Sequence, residues 1–149
     1  MSKTKRSGGD PRVFFLLQQA NASLFRAADA LIREREGILT AHQVILFALD
    51  ADDGLTMSDL ATRVGMSRTR LTNLLDTLEE KNLVRRAQSE ADGRVFNVMI
   101  EKSGRDLIGR SRSQVRDMNE KLLEPFDKAE RETIGAFLTH VVRTSKSLA

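Results

Sequence analysis

With 149 residues, 40 % of them apolar and 5 % aromatic, and no cysteine, the chain has material for one folded core, and it excludes disulfides, thiolate chemistry and cysteine-based zinc sites. A formal charge of +3 and a pI of about 9.6 are compatible with a polyanionic partner without requiring one. No apolar run approaches the roughly 20 residues of a membrane span, and no secretory apolar stretch with a cleavage site follows the basic N-terminus, so a cytoplasmic chain is expected.

Residues 1–10, MSKTKRSGGD, are polar, basic and glycine-containing and read as a disordered arm. From Pro11 a long helix is predicted over residues 11–36. In it Val13, Leu17, Ala20, Leu24, Ala27 and Leu31 recur in alternating steps of four and three, a heptad-like seam widened by Phe14, Leu16 and Ile32. A helix from Ala41 to Leu49 follows. Asp50, Asp52 and Asp53 form the densest acidic group. They lack the glutamate at the twelfth position and the flanking geometry of a calcium loop, and read as a polar inter-helix loop.

The stretch from Leu55 to Arg94 is the most informative. Thr56 with Asp59 has the form of a capping box, Leu60, Ala61 and Val64 share one helical face, and Gly65 ends the helix. After a tight corner Ser67 caps a second helix whose apolar stripe is Leu71, Leu74, Leu75 and Leu78. Its first turns instead carry Arg68, Thr69, Arg70, Thr72 and Asn73, with no acid between Asp59 and Asp76. Those side chains supply the donors and acceptors that read base edges in a major groove; Arg70 and Asn73 are the candidate base readers, Ser67 and Thr72 the candidate phosphate contacts. Asn82, tolerant of left-handed backbone, ends this helix. An extended run from Leu83 through Arg86, a polar tip from Gln88 to Gly93 and a return strand alternating Phe96, Val98 and Ile100 with Val95, Asn97 and Met99 make a hairpin. Arg94 stands just past its Asp92-Gly93 turn, placed for a narrow groove where negative potential concentrates. The order is a winged helix-turn-helix over residues 39–101, and the fold class is mainly α with a small β-hairpin wing.

Beyond it, Leu107, Ser111, Val115, Met118 and Leu122 line a helix running to Pro125. Asp127 with Glu130 caps a last helix bearing Ile134, Phe137, Leu138, Val141 and Val142. Seams as long as this one and the N-terminal one need partners. They either fold back on the chain's own core or, the preferred reading, join two copies through residues 11–36 and 104–149, with Val13, Leu17, Leu24, Ile134, Phe137, Leu138 and Val141 at the interface.

From about Leu39 to Ile108 the sequence resembles the MarR family of bacterial transcriptional regulators. The matches are Leu60-Ala61, Ser67, Thr72, the run Leu78 to Val84, Arg86, the wing pair Asp92 and Arg94, and Gly104. The resemblance implies one such domain over residues 11–149, a homodimer on pseudopalindromic duplex DNA, a contribution of Arg86 to DNA binding, and a wing arginine, Arg94, oriented by Asp92 toward the minor groove. It also implies a repressor released by a small aromatic acid, related anion or thioester bound between the dimerisation helices and the winged helix. By position Phe25, Arg26, His42 and Phe47 are the candidates to line that crevice, although a histidine in a helix's first turn is more often a cap-region or surface residue and Phe25 and Phe47 suit the core. Three positions depart from the family's pattern: Asn73 where an arginine is common, Glu101 where a threonine caps the next helix, and Asn82 where a glycine ends the recognition helix.

No nucleotide-binding glycine motif, nucleophile elbow or paired-histidine motif is present, and the two histidines, His42 and His140, are far apart. Neither an enzyme nor a metal or cofactor site is expected. The alternative from another class is a winged helix used as a protein-interaction module, which would have no use for an arginine at the wing tip beside an acid-free helix turn.

Overall fold

The computed structural model describes residues 12–148; the expected basic arm and Pro11 lie outside them. The elements are α1 (Val13–Glu36), α2 (Thr40–Ala51), β1 (Leu55–Thr56), α3 (Met57–Val64), α4 (Arg68–Glu80), β2 (Val84–Gln88), β3 (Phe96–Ile100), α5 (Lys102–Leu123) and α6 (Lys128–Ser145). The chain divides into two compact units, Met1–Ile108 and Gly109–Ala149.

In the first unit the core is built by the apolar faces of α2, α3 and α4 closing on a three-stranded antiparallel sheet of order β1-β3-β2. Ile45, Leu46 and Leu49 of α2, Leu60 of α3, and Leu71, Leu75 and Leu78 of α4 are fully buried, together with Val98 of the sheet. Leu74 is only half-buried and packs at the edge of this cluster. Local chemistry sets the helix ends. Thr56 Oγ1 accepts the Asp59 N–H at 3.1 Å, one arm of the expected capping box, and Gly65 closes α3 at φ +67°. Ser67 Oγ accepts the Arg70 N–H at 3.2 Å to start α4. After α4, Asn82 takes φ +58°, alone among the described non-glycine residues in having a positive value.

Strand β1 has two residues, paired Leu55 with Val98 and Thr56 with Asn97, and the sequence carried no sign of it as a strand. The β2–β3 hairpin pairs Val84 with Ile100 at its base and Gln88 with Phe96 at its far end. Phe96 has the same parity as Val98 and Ile100 yet is 43 % exposed, because the far end of the hairpin runs past the rim of the core.

Helix α5 is pressed onto the hairpin base. A Cβ on Gly104 would fall inside van der Waals contact of the Leu83 carbonyl oxygen and 2.8 Å from Ile100 Cγ1, so only glycine fits. Glu101, expected as a weak cap for α5, instead pairs its carboxylate with Arg85 Nε at 3.0 Å, while its N–H donates to the Leu83 carbonyl at 2.9 Å.

Helix α1 buries only Ile32, which joins the winged-helix core at the α1–α2 corner. Along the predicted seam Val13 and Leu17 are half-buried, Leu24 and Leu31 are exposed, and Phe14, Phe15 and Leu16 are 66 %, 63 % and 55 % exposed.

The second unit holds the rest of α5, a turn, and α6. Asp127 and Glu130 form the expected capping box, each carboxylate accepting the other residue's N–H at 2.8 Å. Arg131 anchors the turn by donating to the Phe126 carbonyl at 2.9 Å and to Glu120 at 3.2 Å. No described residue of α6 is buried. Ile134 and Val141 are half-buried, and Phe137 and Leu138 are exposed.

Candidate nucleic-acid interface

The N-terminal turns of α4 present Arg68, Thr69, Arg70 and Asn73, all exposed. Successive helical positions are about 100° apart, so Asn73 lies one turn above Thr69 and Arg70, and these three share a face while Arg68 flanks it. The two candidate phosphate contacts differ. Ser67 uses an oxygen lone pair for its cap, which leaves its hydroxyl proton to give. Thr72 is half-buried and donates its proton to the Arg68 carbonyl at 2.9 Å, so a phosphate contact from it would require that bond to be given up.

Acids return to α4 at Asp76 and Glu79, and both are taken by Arg86 of β2. Its Nη2 donates to Glu79 Oε2 at 2.6 Å and to Asp76 Oδ1 at 2.5 Å, its Nε donates to Glu79 Oε2 at 3.0 Å, and its backbone N–H reaches Glu79 Oε1 at 3.4 Å. Burial alone would disfavour the charge. The hydrogen bonds it donates to Glu79 and Asp76, with their negative charges, outweigh it, and the guanidinium pKa is raised. The structure therefore places Arg86, a candidate DNA contact, as a clamp between the recognition helix and the wing, with its side chain 24 % exposed. Sequence reading missed Asp76 and Glu79 as its partners; the available signal was two acids three residues apart toward the end of a helix whose first turns are acid-free.

The wing tip is folded by its own polar groups. Gln88 Nε2 donates to the Gly93 carbonyl at 2.6 Å, and Ser89 N–H to the Val95 carbonyl at 2.8 Å. Asp92 Oδ1 accepts the backbone N–H of Arg94 at 3.0 Å, so the orienting contact acts on the arginine's main chain. The Arg94 side chain is exposed.

The four candidates for a ligand crevice do separate work. Arg26 is exposed and reaches Ser23 on its own helix at 3.4 Å, Phe25 is half-buried, and Phe47 packs against the core cluster. His42 is buried, and its Nδ1 accepts the Leu39 N–H at 2.9 Å, the cap role of the two open to it. Beside it Asp29 Oδ1 accepts the Thr40 N–H at 2.6 Å. Thr40 Oγ1 and His42 Nε2 are buried with no hydrogen-bond partner among the described residues. Burial, then the positive charge of Lys81, lowers the His42 pKa against the opposing pull of Asp29. Among the described residues no cluster of three metal-ligating side chains occurs, and no helix is long and apolar enough to cross a membrane.

A model of the MarR family matches residues 36–95, from the end of α1 to the wing. The regulator SarZ of Staphylococcus epidermidis is 28 % identical over 97 residues, 65 % of this chain and 63 % of SarZ. The regulator TtmR of Methylorubrum extorquens is 30 % identical over 116 residues, 74 % of this chain and 57 % of TtmR. This chain thus spans less than two thirds of either relative's length. Among solved structures, MepR of S. aureus, crystallised as a complex with DNA, superposes with a TM-score of 0.82 at 26 % identity, covering 91 % of this chain and 99 % of that one. The helix order and the three-stranded wing agree with these relationships: the chain is similar to MarR-family regulators, and its residues 36–95 match the family's model.

Proposed function

We propose that the protein is a homodimeric, sequence-specific DNA-binding transcriptional regulator, with residues 39–101 as the DNA-reading winged helix and residues 11–36 and 104–149 as its dimerisation segments. The observation that carries the reading is the charge arrangement on α4. Its first turns expose Arg68, Thr69, Arg70 and Asn73, while Asp76 and Glu79 are both paired with Arg86. Arg70 and Asn73 read bases, Ser67 positions a phosphate, and Arg94 enters the minor groove beside them. MepR, similar over most of this chain, was crystallised with DNA, which supports the same use here. Dimerisation is supported by the exposed apolar faces of α1 and α6, too large to leave in water. Such a dimer sets two recognition helices one DNA turn apart, and its target places its work in the cytoplasm.

Selection from random duplex DNA tests this directly. The expected outcome is a pseudopalindrome with half-sites about 10 base pairs apart. Log affinity should fall against log salt with a slope of about −5 or steeper. No enriched sequence, or binding indifferent to salt, overturns the proposal.

The finer part is that the protein is a repressor released by a small aromatic acid, a related anion or its thioester. It rests on the buried, unpartnered His42 Nε2 and Thr40 Oγ1. With Nδ1 accepting from Leu39, a neutral His42 carries its proton on Nε2 and offers it to a carboxylate. A thermal-shift screen of aromatic acids and their thioesters should find compounds that raise the melting midpoint and release DNA, with the effect lost in His42→Ala. A screen in which none does both removes this part and leaves DNA binding standing.

A further inference from the structure

The acidic triplet, expected in a loop, starts inside α2 with Asp50 and continues into the turn after it with Asp52 and Asp53, and it does more than fill a loop. Asp53 Oδ1 accepts two backbone N–H groups, from Gly54 at 3.0 Å and from Ile100 at 2.9 Å. Its Oδ2 accepts from Arg105 Nη2 at 3.1 Å, and the other arm of that guanidinium reaches Asp50 Oδ1 at 3.0 Å. A single carboxylate thus joins the α2–β1 turn, the last residue of β3 and the first turns of α5. The strand geometry explains why it is needed. Glu101 donates its N–H toward the β2 side, to Leu83, so the Ile100 N–H points to the opposite edge. On that edge β1 pairs only with Val98 and Asn97, and the ladder stops short of Ile100. The Asp53 carboxylate takes the place of the missing strand residue. Asn97 Nδ2 adds a bond to the Gly54 carbonyl at 2.9 Å, and Gly54 N–H donates to Val98 at 3.1 Å.

We propose that Asp53 is the positioning residue of the wing: it fixes the base of β3 against α2 and, through Arg105, against α5, and so sets where Arg94 meets DNA. This rests on the reading of Arg94 as a DNA contact. Arg94 lies six residues before Ile100, about 20 Å along an extended strand. A tilt of about 10° at the base would move the tip by roughly 3 Å over that lever, more than a hydrogen bond tolerates. Charge-assisted bonds to two backbone donors and a guanidinium are the strong kind that resist such a tilt.

The test is a double-mutant cycle on the selected duplex, using the full chain and confirming by ultracentrifugation that each variant keeps the wild-type oligomeric state. Arg94→Ala alone is expected to weaken binding by about tenfold or more. Asp53→Ala should weaken it by a similar factor, and in the Asp53→Ala background the further cost of Arg94→Ala should shrink to about twofold or less, because an arginine already misplaced has little left to lose. Asp53→Asn keeps an oxygen for the Ile100 and Gly54 N–H groups and should bind within about threefold of wild type. Amide exchange at Ile100 and along the wing should quicken in Asp53→Ala and not in Asp53→Asn. Wild-type affinity in Asp53→Ala, or an equal cost of Arg94→Ala in both backgrounds, overturns the proposal. Should Asp53→Ala fail to fold, Asp53→Ser, which lacks the second oxygen and the reach to hold both N–H groups, carries the same cycle, and an undiminished cost of Arg94→Ala there overturns it equally. If Arg94→Ala alone costs nothing, the wing reading itself has failed.

Discussion

Replacing Arg86 by methionine separates its two possible contributions, a clamp on α4 or a contact to phosphate. Methionine keeps most of the stem and deletes the guanidinium. The side chains involved are 24 %, 51 % and 37 % exposed for Arg86, Asp76 and Glu79, so solvent screens both pairs. Exposed pairs contribute about 0.2–1 kcal/mol each, and the two-armed geometry puts these near the upper end, which gives a fold cost of about 1–2 kcal/mol. The second effect acts on DNA. Loss of the guanidinium leaves one more uncompensated negative charge on the candidate recognition helix, repelling a phosphate at about 10 Å by roughly 0.4 kcal/mol before screening. Ionic screening cuts this to about a third, and summed over several phosphates the loss is about 0.5 kcal/mol, roughly two- to threefold in affinity. Fluorescence anisotropy on the selected duplex and urea denaturation read the two effects separately. The deciding variant is Asp76→Asn, Glu79→Gln and Arg86→Met combined, which has neither clamp nor uncovered charge. It should bind as tightly as wild type or up to about twofold tighter, since the cluster then carries one negative charge fewer than in the wild type. If it stays as weak as the single variant, the DNA needs the guanidinium itself and the clamp reasoning is refuted.

Gly104→Ala should destabilise the fold by about 2–3 kcal/mol, read from the urea midpoint, because the backbone oxygen of Leu83 cannot move aside as a side chain could. His42 has a folded-state pKa below its ordinary 6.5, so the unfolded chain binds the proton first. The stability it supports is complete above 6.5, falls as pH drops through the lowered value, and is level below it. His42→Gln keeps a side-chain oxygen for the Leu39 N–H and removes the titration, so its denaturation midpoint should lose that dependence; an unchanged pH profile would clear His42. Asn73→Ala should relax preference at one base pair per half-site, and an unaltered selection profile would reassign that reader. Leu17→Glu, which puts a carboxylate into the α1 seam, should abolish tight DNA binding without touching a DNA-facing residue; a monomer that still binds one half-site with wild-type affinity would defeat the dimer proposal.

What could be read from the sequence is what local chemistry encodes. Ser67, Gly65, Asn82 and the Asp127–Glu130 box act on backbone groups within a few residues, and Leu71, Leu75 and Leu78 lie at helical spacing, so each is found where expected. The misses share one cause, dependence on register between elements far apart in the chain. Strand β1 is too short to alternate, and Phe96 is exposed because of where the hairpin leaves the core. The partners of Arg86 and Asp53 are fixed only when β2 is laid on α4 and β3 beside the α2–β1 turn.

This distinction bears on how the candidate interface is built. Read alone, α4 is a helix with two arginines near its start and Asp76, Glu79 and Glu80 toward its end, close to neutral overall. Folded, the acids at 76 and 79 are paired with Arg86, and the first turns keep their basic and amide-bearing side chains exposed. The positive character of the interface is produced as much by covering acids as by adding bases. On these two proposals a residue that never touches DNA changes affinity for it, Arg86 through the charge it pairs and Asp53 through the direction it imposes.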